Sequence, residues 1–137
     1  MTNHVYKGDL PDGLEALVVL VVNAAQTEAA VFGPDGAAPR MAKCGVIISS
    51  ATMAPDGARA LAAKADAAGL LYLDAPVSGG AVKARAGEMT VMGAGSEAAF
   101  AKAAPVFDAI ANAVIDEGKP FSLSLKAVDP DGSVVDW

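Results

Sequence analysis

The sequence predicts an α/β fold with a mainly parallel sheet flanked by helices, and three observations carry that expectation. Apolar runs of strand length alternate with helix-forming segments and turn clusters, the order that yields parallel strands joined by helical crossovers. Residues are 53% hydrophobic but only 5% aromatic, which suits a core of small aliphatic contacts between helices and a Val/Ile/Leu sheet. A length of 137 residues supports one small domain with a single core.

The elements follow in order. Ala16-Leu-Val-Val-Leu-Val-Val-Asn23 is a continuous β-branched run, expected as a first strand buried on both faces. Helix formers from Ala24 to Phe32 stop at Gly33, which opens the turn cluster Gly33-Pro-Asp-Gly36. Val46–Ser49 is the second strand, entered through Gly45. Pro55 suits a first helical turn, Leu61 and Ala65 fall on one face, and Gly69 ends that helix. Leu70–Asp74 is the third strand, delivering the loop Ala75–Gly80 at its carboxyl end, where open α/β sheets place their ligands.

Met89–Met92 is a short fourth strand, and Ser96 is placed to cap the next helix, with Phe100 and Ala104 on one stripe. Pro105 is expected to divide that helix in two, because an interior proline removes a hydrogen bond and clashes with the preceding turn. Val114-Ile115 makes a fifth strand. After Gly118 the period becomes two: Phe121, Leu123 and Leu125 alternate with Ser122, Ser124 and Lys126. Asp129-Pro-Asp-Gly132 fits a type I turn, so a C-terminal hairpin returning through Val134-Val135 is expected.

Charge and residue types exclude several functions. A net charge of −6 offers no basic patch to phosphate backbones or anionic lipid, so neither nucleic acid nor membrane is an expected partner. Leu17–Val22 is the longest strongly apolar run, far short of the roughly 20 residues that cross a bilayer. Cys44 has no second cysteine to pair with, and the Met1-Thr-Asn-His start lacks an apolar signal core, which reads as cytoplasmic. With His4 as the sole histidine, no metal-ligand cluster or histidine-based triad is expected.

The loop Asp74-Ala-Pro-Val-Ser-Gly-Gly80 is the most informative feature. Its glycines let backbone N–H groups approach a carboxylate without an intervening Cβ, and Ser78 adds a hydroxyl donor. A tight turn with a solvated serine is the plain alternative. Lys83 and Arg85 behind it could draw in an anion, or could be ordinary solvated charge.

Asp74-Ala-Pro-Val-Ser-Gly-Gly80 followed by Gly87-Glu-Met-Thr-Val-Met92 resembles the signature of the β-hydroxyacid dehydrogenases, which include 3-hydroxyisobutyrate, tartronate semialdehyde and threonate dehydrogenases. The likeness extends more loosely from Leu17 to Ala111. It implies a partial Rossmann-type NAD(P)-binding domain over 1–118, with 119–137 as an extension, and a small hydroxyacid substrate with NAD or NADP. The resemblance gives Ser78, Gly79 and Gly80 the substrate carboxylate. Thr52, with Ala51 in place of the family's serine, falls on the nicotinamide side, as do Val22 and Asn23. Thr52 and Asn23 could instead cap the helices beginning at Pro55 and Ala24.

There are departures. No GxGxxG phosphate loop precedes Leu17. The family's proton-exchanging lysine, in a Lys-x-x-Asn pattern on a helix, is echoed only by Lys126-Ala-Val-Asp129, with strand-like flanks and aspartate in place of asparagine. Lys126 is therefore the one catalytic candidate. Gly93-Ala-Gly95-Ser-Glu-Ala98 formally matches the dinucleotide fingerprint, although the family places an ordinary turn there. The expectation is a homo-oligomeric, fragment-like oxidoreductase, weak or inactive as this chain alone. The alternative is a non-catalytic module that binds a small acid or self-associates.

Overall fold

The structure is a computed structural model that describes residues 10–116, 126–128 and 134–136. Strand β1 (Leu14–Val19) leads through helix α1 (Ala24–Phe32) and a short 3-10 turn (Ala38–Arg40) to β2 (Met41–Ser49). Helix α2 (Pro55–Ala67), β3 (Leu71–Asp74), β4 (Val77–Ser78), helix α3 (Gly80–Ala86) and β5 (Met89–Gly95) follow. Helix α4 (Glu97–Ile110), β6 (Ala111–Asp116), β7 (Lys126–Val128) and β8 (Val134–Asp136) complete the order.

The expected α/β architecture is present, but its sheet is mixed. β1, β2 and β3 are parallel neighbours, and β5 and β6 are parallel to each other. Between them β5 runs antiparallel to both β3 and β4, in one unbroken register from Leu73↔Gly95 to Ser78↔Thr90. β3 and β4 therefore act as one strand interrupted at Ala75-Pro76, where proline has no N–H to give the ladder while its carbonyl still accepts from Met92 N at 2.9 Å. β7 and β8 form the expected antiparallel hairpin; its turn at Asp129–Gly132 and the alternating Phe121–Leu125 lie outside the described residues.

Each face of the sheet has its own core. α4 covers one, packing Ala99, Ala103 and Phe107 against Val46, Ile48, Leu73 and Val91. α1 and α2 cover the other, with Val31, Leu61 and Ala65 against Val19, Ile47 and Tyr72. Cys44 takes a left-handed φ of 59° where β2 carries extra residues against β1, between the pairs Leu14↔Met41 and Ala16↔Val46. The sequence places β2 only at its regular end, from Val46.

Three expectations need correction. β1 ends at Val19, and its run is not buried on both faces: Val18 is 37% exposed and Leu20 and Val22 are 72% and 71% exposed. Among the described residues β1 pairs on one side only, which leaves its outer edge open. The buried stripe of α4 is Ala99, Ala103 and Phe107, one residue out of phase with Phe100 and Ala104.

Pro105 does not divide α4, which runs unbroken from Glu97 to Ile110. Ala103 and Phe107 anchor it to the sheet on both sides of the proline, and Pro105 itself faces solvent, so packing outweighs the lost bond. Pro105→Ala should accordingly stabilise the domain, by about 1–3 kcal/mol if the proline penalty is fully released. Urea unfolding followed by circular dichroism checks this; an unchanged midpoint would mean that the helix is not continuous there.

Candidate functional site

The site is built by strand register. Val19, Ser49 and Asp74 lie side by side across β1, β2 and β3. The loops that leave them are stitched at the same level, Ser50 N donating to the Val19 carbonyl at 3.0 Å and Ala75 N to the Ser49 carbonyl at 2.7 Å. The segments singled out in the sequence, residues 20–23, 50–54 and 75–80, thus emerge from one edge of the sheet. A cleft of about 400 Å³ is lined by Val18, Leu20, Ser50, Val77, Ala84, Met89 and Ile110, so it touches each of the three segments, whereas Val22, Asn23, Thr52, Ser78, Gly79 and Gly80 lie outside its lining.

Ser78 closes β4, exposed and paired through its backbone with Thr90. Gly79 and Gly80 follow at φ 134° and 66°, both in the region that disfavours side chains. A Cβ on Gly79 would lie 2.9 Å from the Lys83 Cβ, whereas one on Gly80 would meet nothing within 4 Å, so the backbone there is open to an approaching group. The sequence does not announce α3, because a turn through two positive-φ glycines hides the helix start. Lys83 and Arg85 sit in its last turn, on a helix exposed throughout residues 81–86.

Asn23 is the cap of α1, its Oδ1 accepting from Gln26 N at 2.9 Å. Its carboxamide nitrogen is left as a donor that the cap does not use. Thr52 does not cap a helix, since the cap of α2 is Ala54, without a side-chain bond, and Pro55 fills the first turn. Thr52 is exposed, two residues along the chain from the cleft-lining Ser50. Lys126 opens strand β7, opposite Asp136, so it does not sit on a helix.

Gly93 and Gly95 lie within β5 and form no phosphate loop. A Cβ on Gly95 would sit 2.7 Å from Leu73 Cδ1 and 2.9 Å from the Tyr72 carbonyl, so this glycine serves close strand packing. Ser96 caps α4 as expected, its Oγ accepting from Ala99 N at 3.2 Å. No group of three or more metal-ligating side chains occurs among the described residues, and no helix among them is long and apolar enough to cross a membrane.

A family model described as the NAD binding domain of 6-phosphogluconate dehydrogenase matches residues 4–118. The chain belongs to that family. L-threonate dehydrogenase of Haemophilus influenzae is 46% identical over 115 residues, 84% of this chain and 38% of that protein. 3-Hydroxyisobutyrate dehydrogenase of Pseudomonas aeruginosa is 36% identical over 107 residues, 78% of this chain and 36% of that one. Among solved structures, 3-hydroxyisobutyrate dehydrogenase from Salmonella typhimurium superposes with a TM-score of 0.71 at 51% identity, covering 74% of this chain and 35% of that one. The resemblance to β-hydroxyacid dehydrogenases read from the loop is thus matched across most of this chain. The chain spans little more than a third of the length of these relatives.

Sequence reasoning missed the polar cluster under the second loop. Ser49 is fully buried, and Tyr72, 8% exposed, places its hydroxyl 4.0 Å from Met53 Sδ on the α2 face of the sheet. Burial pushes the Tyr72 phenol above its ordinary range, the Asp74 carboxylate pushes it further up, and the neighbouring Ser49 hydroxyl opposes them. A raised phenol pKa leaves stability intact below the unfolded-state value, near 10, and removes it as pH rises beyond, because the unfolded chain ionises first. Melting temperature should therefore fall above about pH 10, and less steeply in Tyr72→Phe.

Asn23→Asp separates capping from recognition. Aspartate caps a helix as well as asparagine but has no donor to present, so melting should be unchanged while any ligand acceptor held by Asn23 is lost. Weakening of ligand binding by about tenfold with an unchanged melting temperature is the expected result. A parallel fall in both would assign Asn23 to capping alone.

Proposed function

We propose that this chain is the nicotinamide-facing and carboxylate-facing portion of an NAD(P)-dependent hydroxyacid dehydrogenase. The observation that supports the reading is the register that ends β1, β2 and β3 at one level, at Val19, Ser49 and Asp74, so that the three segments leave one edge of the sheet with Leu20, Ser50 and Val77 on a shared cleft. In this reading residues 1–118 form part of the cofactor domain and 119–137 an extension. Relatives at 43–48% identity bearing the name L-threonate dehydrogenase point to a short polyhydroxy acid as substrate.

The residues fit a nicotinamide cofactor at its reactive end. Asn23 offers a donor, Val22 an exposed apolar surface, and Thr52 a hydroxyl free of capping duty. The cofactor, when bound, supplies hydride transfer to or from the carbon bearing the hydroxyl. The substrate carboxylate would be held by the Ser78 hydroxyl and the backbone N–H groups of Gly79 and Gly80, where Gly80 leaves open space. Lys83 and Arg85 add positive potential behind the loop.

NADH fluorescence titration of the purified chain, with and without L-threonate, tests the proposal. Enhancement that tightens with the acid is expected, and no response in either arm would overturn it. Ser78→Ala should weaken the acid-dependent part by roughly tenfold, the value of one charge-assisted hydrogen bond.

A second reading, self-association as a homo-oligomer, is favoured by the outer edge of β1, unpaired among the described residues, and by the exposed Val18, Leu20 and Val22, of which Val18 and Leu20 also line the cleft. Sedimentation over a concentration series tests it. A concentration-dependent dimer abolished by Val18→Lys is expected, and a clean monomer throughout would exclude it.

A further inference from the structure

We infer that Gln26 is a positioning residue, whose side-chain oxygen fixes the β1–α1 loop in the conformation that offers Val22 and Asn23 to a nicotinamide cofactor. The inference rests on the proposed function and deepens it, since Gln26 lies outside every segment assigned above to ligand contact.

The loop is tied to α1 by four bonds. The Asn23 carbonyl accepts from Thr27 N at 3.0 Å and from the Thr27 hydroxyl at 2.9 Å, and the Thr27 side chain is fully buried beneath it. Asn23 Oδ1 accepts from Gln26 N at 2.9 Å. These three constitute an ordinary helix start and use nothing of the Gln26 side chain. The fourth is different: Gln26 Oε1 accepts from Val22 N at 2.9 Å, reaching one residue before the cap.

In a standard capping box the returning side chain bonds the N–H of the cap residue itself. Here the bond closes on the preceding peptide, so the constrained ring includes the whole Val22–Asn23 unit. Val22 is 71% exposed, and water could satisfy its N–H equally well, which makes the bond a small contribution to stability. Its main effect is geometric. With the Val22 N–H and the Asn23 Oδ1 both turned to the helix, the loop has one orientation, in which the Val22 side chain and the Asn23 amide nitrogen remain for a ligand. Preorganisation of this kind improves affinity by removing the loop-ordering cost from the binding step.

The sequence carries the signal as Asn23-Ala-Ala-Gln26, cap and acceptor three residues apart. Two variants isolate the role. Gln26→Leu keeps helix propensity and the backbone bond to Asn23 but has no acceptor. Gln26→Glu keeps an acceptor at the same reach and places a negative charge at a helix N-terminus, where it is tolerated.

The experiment is an NADH titration of the wild-type chain and both variants in 0.15 M salt, where screening over about 8 Å limits repulsion between the introduced carboxylate and the dinucleotide. Val22 amide hydrogen exchange and thermal melting are measured on the same samples. Gln26→Leu should exchange the Val22 amide at least tenfold faster, and bind NADH about five- to tenfold more weakly, with its melting temperature nearly unchanged. Gln26→Glu should recover both quantities to within about threefold of the wild type. Wild-type affinity in Gln26→Leu, or a Gln26→Glu variant as weak as Gln26→Leu, would overturn the positioning role. A wild-type chain that does not bind NADH at all would overturn the underlying reading as well, and would be recognisable because the exchange difference between the variants would persist without any binding.

Discussion

The parallel register of β1, β2 and β3 is the constraint on which the candidate site depends. Pairing Val19 with Ser49 and Ser49 with Asp74 brings three strands to their carboxyl ends at one level. A slip of one residue in β2 would turn Ile47 and Ser49 toward α4 and Ile48 toward α2, inverting both cores. The two helical layers thus enforce the register, and the register sets where the loops begin. Chemistry at the edge is in this sense a consequence of burial on the two faces.

The loops are then shaped by different local means. The first is tied down by hydrogen bonds to α1, chiefly through Asn23, Gln26 and Thr27. The second follows Ser49 over the buried Tyr72 and ends at Pro55, whose fixed φ starts α2 without a side-chain cap. The third continues the strand line through Pro76 into β4 and turns on Gly79 and Gly80. Positive φ at those glycines is what lets the chain reverse into α3 while leaving backbone exposed.

Much of this was legible in the sequence. The loop Asp74–Gly80 was legible as a turn, because two glycines after an apolar strand permit the positive φ that the chain adopts at Gly79 and Gly80. Pro55, Leu61, Ala65 and Ser96 behave as their patterns imply. What was not legible depends on partners distant in sequence. Whether Leu17–Val22 is buried on both faces depends on what packs over β1, and the two cores leave Val18, Leu20 and Val22 exposed. The antiparallel course of β5 depends on its pairing with β3, which no period reveals. The continuity of α4 through Pro105 depends on the sheet beneath Ala103 and Phe107, a tertiary contribution that overrides local propensity.

The central claim is that three loops at one sheet edge form a single ligand-binding surface. Backbone amide chemical-shift mapping with NADH and L-threonate tests it most directly. The account predicts shifts concentrated at residues 20–23, 50–54 and 75–80, with Val22, Asn23, Thr52 and Ser78 among the largest. Shifts confined to the α2 face around Met53, Tyr72 and Gly95, or absent altogether, would contradict it.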